Sequence, residues 1–160
     1  CRIAKGNGML VALDLASYNV VESNIGSFRH IIKNYVDILF SNEQEARAYT
    51  GLDPDLAFPV LSEQCEVVIL KLGAAGSWIR KGEEIIRISA LPVRCNDTTG
   101  AGDLYAAGFL YSFARDLNLE TCGMIGSLTA GRVIEIVGAR MDKPAFAGIR
   151  DEIMKIMKDQ

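Results

Sequence analysis

The sequence is short of several features, and each shortage removes a class of function. No apolar run approaches the roughly 18 residues needed to span a bilayer, and no basic stretch precedes an apolar one at the start. A soluble protein is expected. Lys and Arg form no cluster: 17 of them stand against 20 Asp and Glu, a formal net charge of −3. That leaves no footprint for a nucleic acid backbone. The four cysteines, Cys1, Cys65, Cys95 and Cys122, are scattered without CxxC pairs or neighbouring histidines, so reduced structural thiols are expected rather than a zinc or redox centre. The one histidine, His30, lies on a stretch of helical spacing, where a surface or partly packed role is expected rather than a general base. Repeats, linkers and low-complexity segments are absent.

What remains is apolar and periodic. With 160 residues, 49% of them hydrophobic, and a mean hydropathy of +0.17, the chain can bury a substantial core as a single domain over 1–160. Cys1 to Lys5 reads as the end of a helix, so an upstream portion is expected to be missing. Met9 to Asp14 is a continuous apolar run closed by an acid, as in a strand buried on both faces. Apolar residues at helical spacing from Ile25 to Tyr35, then the run Val36 to Phe40, complete a βαβ unit. Ser41 is a candidate N-cap for a helix through Tyr49 that Gly51 closes, and Pro54 opens another ending by Glu66. Val67 to Leu72 is the strongest strand signal. Two alternating segments about Lys81-Gly82 predict a hairpin, and Pro92 to Cys95 one more strand. Helices are expected over Gly100 to Asp116, Leu119 to Val137 and Pro144 to Lys158, giving an α/β architecture with helices last.

One loop stands out chemically. In Asp97-Thr98-Thr99-Gly100-Ala101-Gly102-Asp103, two glycines sit directly before a helix whose apolar turn begins at Leu104. Unobstructed backbone amides at the positive end of a helix dipole attract phosphate. Ala101 keeps the loop small, and the Thr98 and Thr99 hydroxyls can face a phosphate or a cation. Asp103 can be a simple cap, or it can accept the proton of an alcohol that attacks the phosphate. The residues by themselves leave both readings open.

DTTGAGD, followed by Leu104-Tyr105-Ala106-Ala107-Gly108-Phe109, closely resembles the C-terminal signature of the PfkB carbohydrate kinases, the ribokinase-like family that includes adenosine kinases and fructokinases. Two further segments resemble the family's motifs in the family's order. Ser41-Asn42-Glu43-Gln44-Glu45 is similar to its NxxE motif, and Lys71-Leu72-Gly73-Ala74-Ala75-Gly76-Ser77 to its strand-to-loop segment beside ATP.

The resemblance implies a ribokinase-like three-layer α/β/α fold with a mostly parallel sheet and helices on both faces, here as its C-terminal part. It implies Asp103 as catalytic base, with the amides of Gly100, Ala101 and Gly102 as anion hole. Asn42 and Glu45 would position Mg2+. Lys71, Gly73, Gly76, Asp97, Thr98 and Thr99 would lie along ATP, with Asp97 and Thr99 matching positions that in some members hold a monovalent cation such as K+. Ser127 falls where relatives carry an adenine-side asparagine. The implied activity is transfer of the ATP γ-phosphate to a hydroxyl of a sugar or nucleoside in the cytoplasm. The N-terminal substrate part, and the lid through which the full-length protein would dimerise, have no counterpart. Two alternatives accompany this reading: an inactive nucleotide-binding fragment, and a kinase of a vitamin such as pyridoxal or hydroxymethylpyrimidine.

Other signals are set aside. Gly6-Asn7-Gly8 precedes its strand and lacks a third glycine, so it is a turn. Trp78 and Arg80 fit either a nucleotide flank or an exposed edge. Asp14, at a strand's carboxyl end, is expected at most to support a site.

Overall fold

The apolar runs become strands and the helical-period segments become helices. In a computed structural model, which describes residues 1–158, the chain opens with α1 (Arg2–Gly6), β1 (Ala12–Asp14), α2 (Tyr18–Ser23), α3 (Ile25–Tyr35) and β2 (Ile38–Asn42). It continues through α4 (Glu43–Thr50), α5 (Pro54–Ser62) and β3 (Val67–Lys71) to a hairpin of β4 (Ser77–Lys81) and β5 (Glu84–Ile88). Three helices follow: α6 (Ala101–Phe113), α7 (Leu119–Ile134) and α8 (Lys143–Lys158). No helix among the described residues is long and apolar enough to cross a membrane.

The five strands form one sheet in the order β1-β2-β3-β4-β5, with β1, β2 and β3 parallel. Ile38 to Ser41 and Val67 to Leu70 are buried without interruption, which is why both read as solid apolar runs rather than as alternation. Paired residues of a parallel ladder project to the same face. The register Asp14↔Phe40, Phe40↔Ile69 and Asn42↔Lys71 therefore puts Asp14, Asn42 and Lys71 on one face near the strands' carboxyl ends.

Several boundaries differ from the sequence expectation. β1 starts at Ala12 rather than Met9: it is the outer strand, and Met9 and Leu10 stay 60% and 58% exposed. Residues 92–95 form no strand. Pro92 cannot donate to a ladder, and the segment is tied down around its ends, where Leu91 N donates to Ser127 Oγ at 3.2 Å and Asn96 N to Ile134 O at 2.7 Å. α2 is additional to the sequence expectation, because its six residues are too few for an apolar period to register. α6 and α7 stop before Asp116 and Val137, with Asp116 in the left-handed region at φ 57°.

The chain divides into two compact units, residues 1–73 with 78–86, and residues 74–77 with those from 87 onward. In the first, Leu15, Val21, Ile32, Leu39, Leu61, Val68 and Leu70 make the core, and Phe58 meets Trp78 edge to face at 5.7 Å. Cys65 is buried there, and burial pushes its thiol up to about 11, which keeps it protonated and unreactive. In the second, Tyr105, Phe109, Cys122, Ile125, Leu128 and Val133 are buried, with Phe109 stacked on Phe113 at 5.8 Å. Arg132 of α7 grips Glu152 of α8 through two nitrogens, at 3.1 and 2.7 Å, and also bonds Glu135.

Small residues let α6 and α7 approach closely. A Cβ built on Gly108 would lie 2.4 Å from Thr129 Oγ1 and 2.8 Å from Ile125 O, while Thr129 Oγ1 itself reaches Leu104 O at 2.6 Å. A methyl there meets backbone, which cannot yield as a flexible side chain could. Gly108→Ala is therefore expected to destabilise the protein by about 1–3 kcal/mol. Thermal denaturation checks this, and an unchanged midpoint would contradict the packing.

Candidate functional site

In the first unit the polar residues gather where β2 hands over to α4. Asn42 is the last residue of β2 and the N-cap of α4, with φ −103° and ψ −179°. Its side-chain oxygen accepts from Glu45 N at 2.9 Å, and Glu45 Oε2 accepts from Asn42 N at 2.8 Å, a reciprocal capping box. Asn42 Nδ2 adds a bond to Glu45 Oε1 at 2.7 Å. Glu45 is only 3% exposed, and this burial pushes its carboxyl above the usual carboxylate range despite the Asn42 amide and the nearby Lys71 ammonium.

Ser41, expected as the cap, lies inside β2 instead. It is fully buried, and its hydroxyl has no hydrogen-bond partner among the described residues. The strand runs one residue further than the apolar pattern suggested, so the cap falls to Asn42.

Across the same face, Lys71 Nζ donates to Asp14 Oδ2 at 2.6 Å, with the two side chains 14% and 25% exposed. Asp14 Oδ1 also accepts from Ala16 N at 3.0 Å and so braces a non-glycine residue held at φ 62°. Asp14 thus has a definite structural task, and Lys71 is charge-paired. Gly73 begins a 3-10 turn over Gly73–Ala75, with open space about its α-carbon. Trp78 packs on Phe58, Arg80 Nε donates to Gly82 O at 2.7 Å, and His30 is exposed.

In the second unit the DTTGAGD turn has a firm frame. Asp97 Oδ1 accepts from Thr99 Oγ1 at 2.7 Å and Thr99 N at 2.9 Å, and Oδ2 accepts from Gly138 N at 2.8 Å. The Thr99 hydroxyl and amide, with the Gly138 amide, hold the Asp97 carboxyl below the usual carboxylate range. Gly100 then turns into the left-handed region at φ 81°, and a Cβ on it would stand 2.8 Å from Ala139 Cβ. Both conformation and space demand glycine. Gly100 is the N-cap of α6 and supplies no side-chain cap, so the first-turn amides of Ala101–Phe113 begin at a bare helix end. The Ala101 amide alone folds back, onto Thr98 O at 3.1 Å. Thr98 is exposed.

Asp103 occupies the third position of α6. It is exposed, and its carboxylate takes no hydrogen bond or ion pair among the described residues. Two residues on, Tyr105 is 5% exposed and its hydroxyl lies 2.7 Å from Ser77 Oγ, itself 1% exposed. Burial pushes the phenol up to about 12. No local pattern joins this pair, because 28 residues separate its members, although Ser77 closes one motif and Tyr105 lies two residues beyond another. Ser127, the adenine candidate, spends its hydroxyl on Ser89 O at 3.1 Å and Leu91 N at 3.2 Å. An open groove of about 670 Å³ runs along α8 past Phe146, Arg150 and Met154, and no candidate residue lines it.

With this geometry in view, comparison with known proteins is decisive at the level of the family. The pfkB family carbohydrate kinases match residues 3–145, and the chain belongs to that family. An uncharacterized sugar kinase of Archaeoglobus fulgidus is 35% identical over 128 residues, 77% of this chain and 49% of that protein. The crystal structure of adenosine kinase from Sinorhizobium meliloti superimposes with a TM-score of 0.87 at 36% identity, over 94% of this chain and 47% of the other. Ribokinase of Arabidopsis thaliana, complexed with ribose and ATP, shares the fold at a TM-score of 0.72 and 23% identity, over 92% and 49% of the two chains. The fold is ribokinase-like and α/β. The chain spans about half the length of the relatives it matches.

The two neighbouring residues Ser41 and Asn42 separate cap from strand experimentally. Asn42→Ala removes the one arm of the box that its side chain makes, together with the Nδ2 bond to Glu45, and is expected to cost about 1 kcal/mol or more. Ser41→Ala removes a buried, unpartnered hydroxyl and is expected to be neutral or stabilising. Urea unfolding of both variants checks the assignment, and the opposite ranking would refute it.

Proposed function

We propose that this chain supplies the nucleotide-handling half of an ATP-dependent kinase that moves the γ-phosphoryl group to a hydroxyl of a sugar or nucleoside. The observation that carries the reading is the start of α6, where a glycine-capped helix end with no side-chain cap adjoins an exposed, unpaired carboxylate at Asp103. Had Asp103 been a cap, its oxygen would be bound to an amide of the first turn. In the proposed step Asp103 takes the acceptor's hydroxyl proton as that oxygen bonds to the γ-phosphorus, and the bond from phosphorus to the bridging oxygen breaks to leave ADP. The amides of Gly100 and Gly102 stabilise charge on the transferring group, while that of Ala101 is spent on Thr98 O.

Magnesium, when bound, would neutralise phosphate charge. The residues present fit a partner that keeps its own water. Asn42 and Glu45 already satisfy each other, and no cluster of three or more acidic, His or Cys side chains occurs among the described residues. These two therefore suit contact through water and phosphate better than a protein cage. Lys71 is placed to bring positive charge to the same strand ends, held by Asp14. Any monovalent cation near Asp97 and Thr99 would have to use the oxygen lone pairs that the turn's own bonds leave over.

The acceptor class rests on the relatives, one named an adenosine kinase and one a ribokinase complexed with ribose. A second reading has its own observation: a chain matching about half of each relative binds ATP without turning over an acceptor, since positioning of both reactants supplies much of the catalysis. For residues 1–160 alone, calorimetry is expected to detect binding of ATP with Mg2+, while ADP release stays at background with ribose or adenosine. Robust acceptor-dependent turnover would overturn the second reading, and no ATP binding at all would overturn the nucleotide role. In a full-length protein carrying this segment, Asp103→Asn is expected to lower kcat by about 10²–10⁴ with ATP affinity largely kept. An unchanged kcat would remove Asp103 from the mechanism.

A further inference from the structure

The second unit contains a buried polar contact that the kinase reading does not use. Ser77 and Tyr105 are 1% and 5% exposed, and their hydroxyls lie 2.7 Å apart. Each sits at a sensitive place. Ser77 directly follows Gly76, which is held at φ 92° so tightly that a Cβ there would come within 1.9 Å of Ile88 O. Tyr105 lies in the first turns of α6, two residues beyond Asp103. Its ring is pinned from behind by α7, because a Cβ on Gly126 would meet two of its carbons at 3.0 and 3.1 Å.

The phenol is therefore a rigid strut. Its hydroxyl-bearing edge is fixed by the packing of Gly126, and the hydroxyl itself meets the residue at the exit of the Gly76 turn. Neither hydroxyl can turn to water instead, so losing one leaves the other buried and unpaired. Relief then requires the turn and the helix start to move relative to each other. Apolar packing would hold the ring and Ser77 near each other without the bond, but it would not set the distance between the turn and the helix start.

We propose that Ser77 and Tyr105 are positioning residues that fix the Gly76 turn in register with the Gly100–Asp103 start of α6, so that both bear on one bound nucleotide. This deepens the nucleotide reading above and rests on it.

Tyr105→Phe and Ser77→Ala each remove one hydroxyl and keep the bulk, and the double variant removes both. Calorimetry of the 160-residue chain with ATP and Mg2+ would be read beside the thermal midpoint. Arg132→Ala serves as a control that loosens α8 without touching the pair. Each single variant is expected to weaken ATP binding by about 5- to 10-fold, and the double variant by no more than the worse single one, the mark of one shared contact. Arg132→Ala should lower the midpoint and leave ATP affinity in place. The proposal is overturned if Tyr105→Phe and Ser77→Ala lower the midpoint alone, as the control does, or if their effects on affinity simply add. Failure of the wild-type chain to bind ATP would instead bring down the nucleotide reading together with this one.

Discussion

The parallel register of β1, β2 and β3 is the constraint on which the polar end of the first unit depends. Because side chains alternate with period two, Asp14, Asn42 and Lys71 share a face only while Asp14 pairs with Phe40 and Asn42 with Lys71. A slip of one residue in β2 would move Asn42 to the opposite face and bring Ser41 to the place now held by the cap. The buried apolar residues prevent this. Leu39, Val68 and Leu70 belong to one core cluster, and a slip of β2 would take Leu39 out of line with Val68 and set a side chain of different shape against that core. The register is thus set by residues with no chemistry of their own. Their burial decides where Asp14 can reach Lys71 and where Asn42 can cap α4.

The same dependence of polar geometry on packing governs the second unit, with small residues in place of strand pairing. Gly108 and Gly126 allow α6 and α7 to touch, Thr129 reaches the Leu104 carbonyl, and Tyr105 lies over Gly126. The Tyr105 hydroxyl then meets Ser77 Oγ at 2.7 Å. Behind the turn, Ile134 O accepts from both Asn96 N and Asp97 N, and Gly138 N donates to Asp97. The end of α7 is therefore the seat of the loop that opens α6.

Sequence patterns revealed the fold wherever an apolar period was long. Val67 to Lys71, Ile25 to Tyr35 and the three late helices lie close to where their apolar spacing put them. Patterns failed where an element was short or exposed: α2 has six residues, β1 loses its exposed first half, and Pro92 to Cys95 finds no ladder. The cap was misplaced by one residue because Ser41 and Asn42 are both good capping residues and only the strand register distinguishes them. Among site residues, the glycine turn was legible because left-handed conformation and close approach leave few choices at Gly100. The Ser77 to Tyr105 and Asp14 to Lys71 contacts were not, since they join residues 28 and 57 apart and depend on how whole elements pack.

The two aspartates of DTTGAGD show what the structure adds to the motif. Asp97 and Asp103 are six residues apart and both lie near backbone amides, so the sequence offers no physical reason to treat them differently. In the fold, Asp97 takes three donors, and those bonds lower its proton affinity and commit both of its oxygens to the turn. A carboxylate committed in this way is a poor base, because accepting a proton would break bonds that hold the loop together. Asp103 has none of those ties: its helix is capped by a glycine, and its oxygens face solvent. The division of labour follows from satisfaction rather than from charge. The satisfied aspartate builds the turn, and the unsatisfied one stands on the first turn of α6 with its oxygens uncommitted.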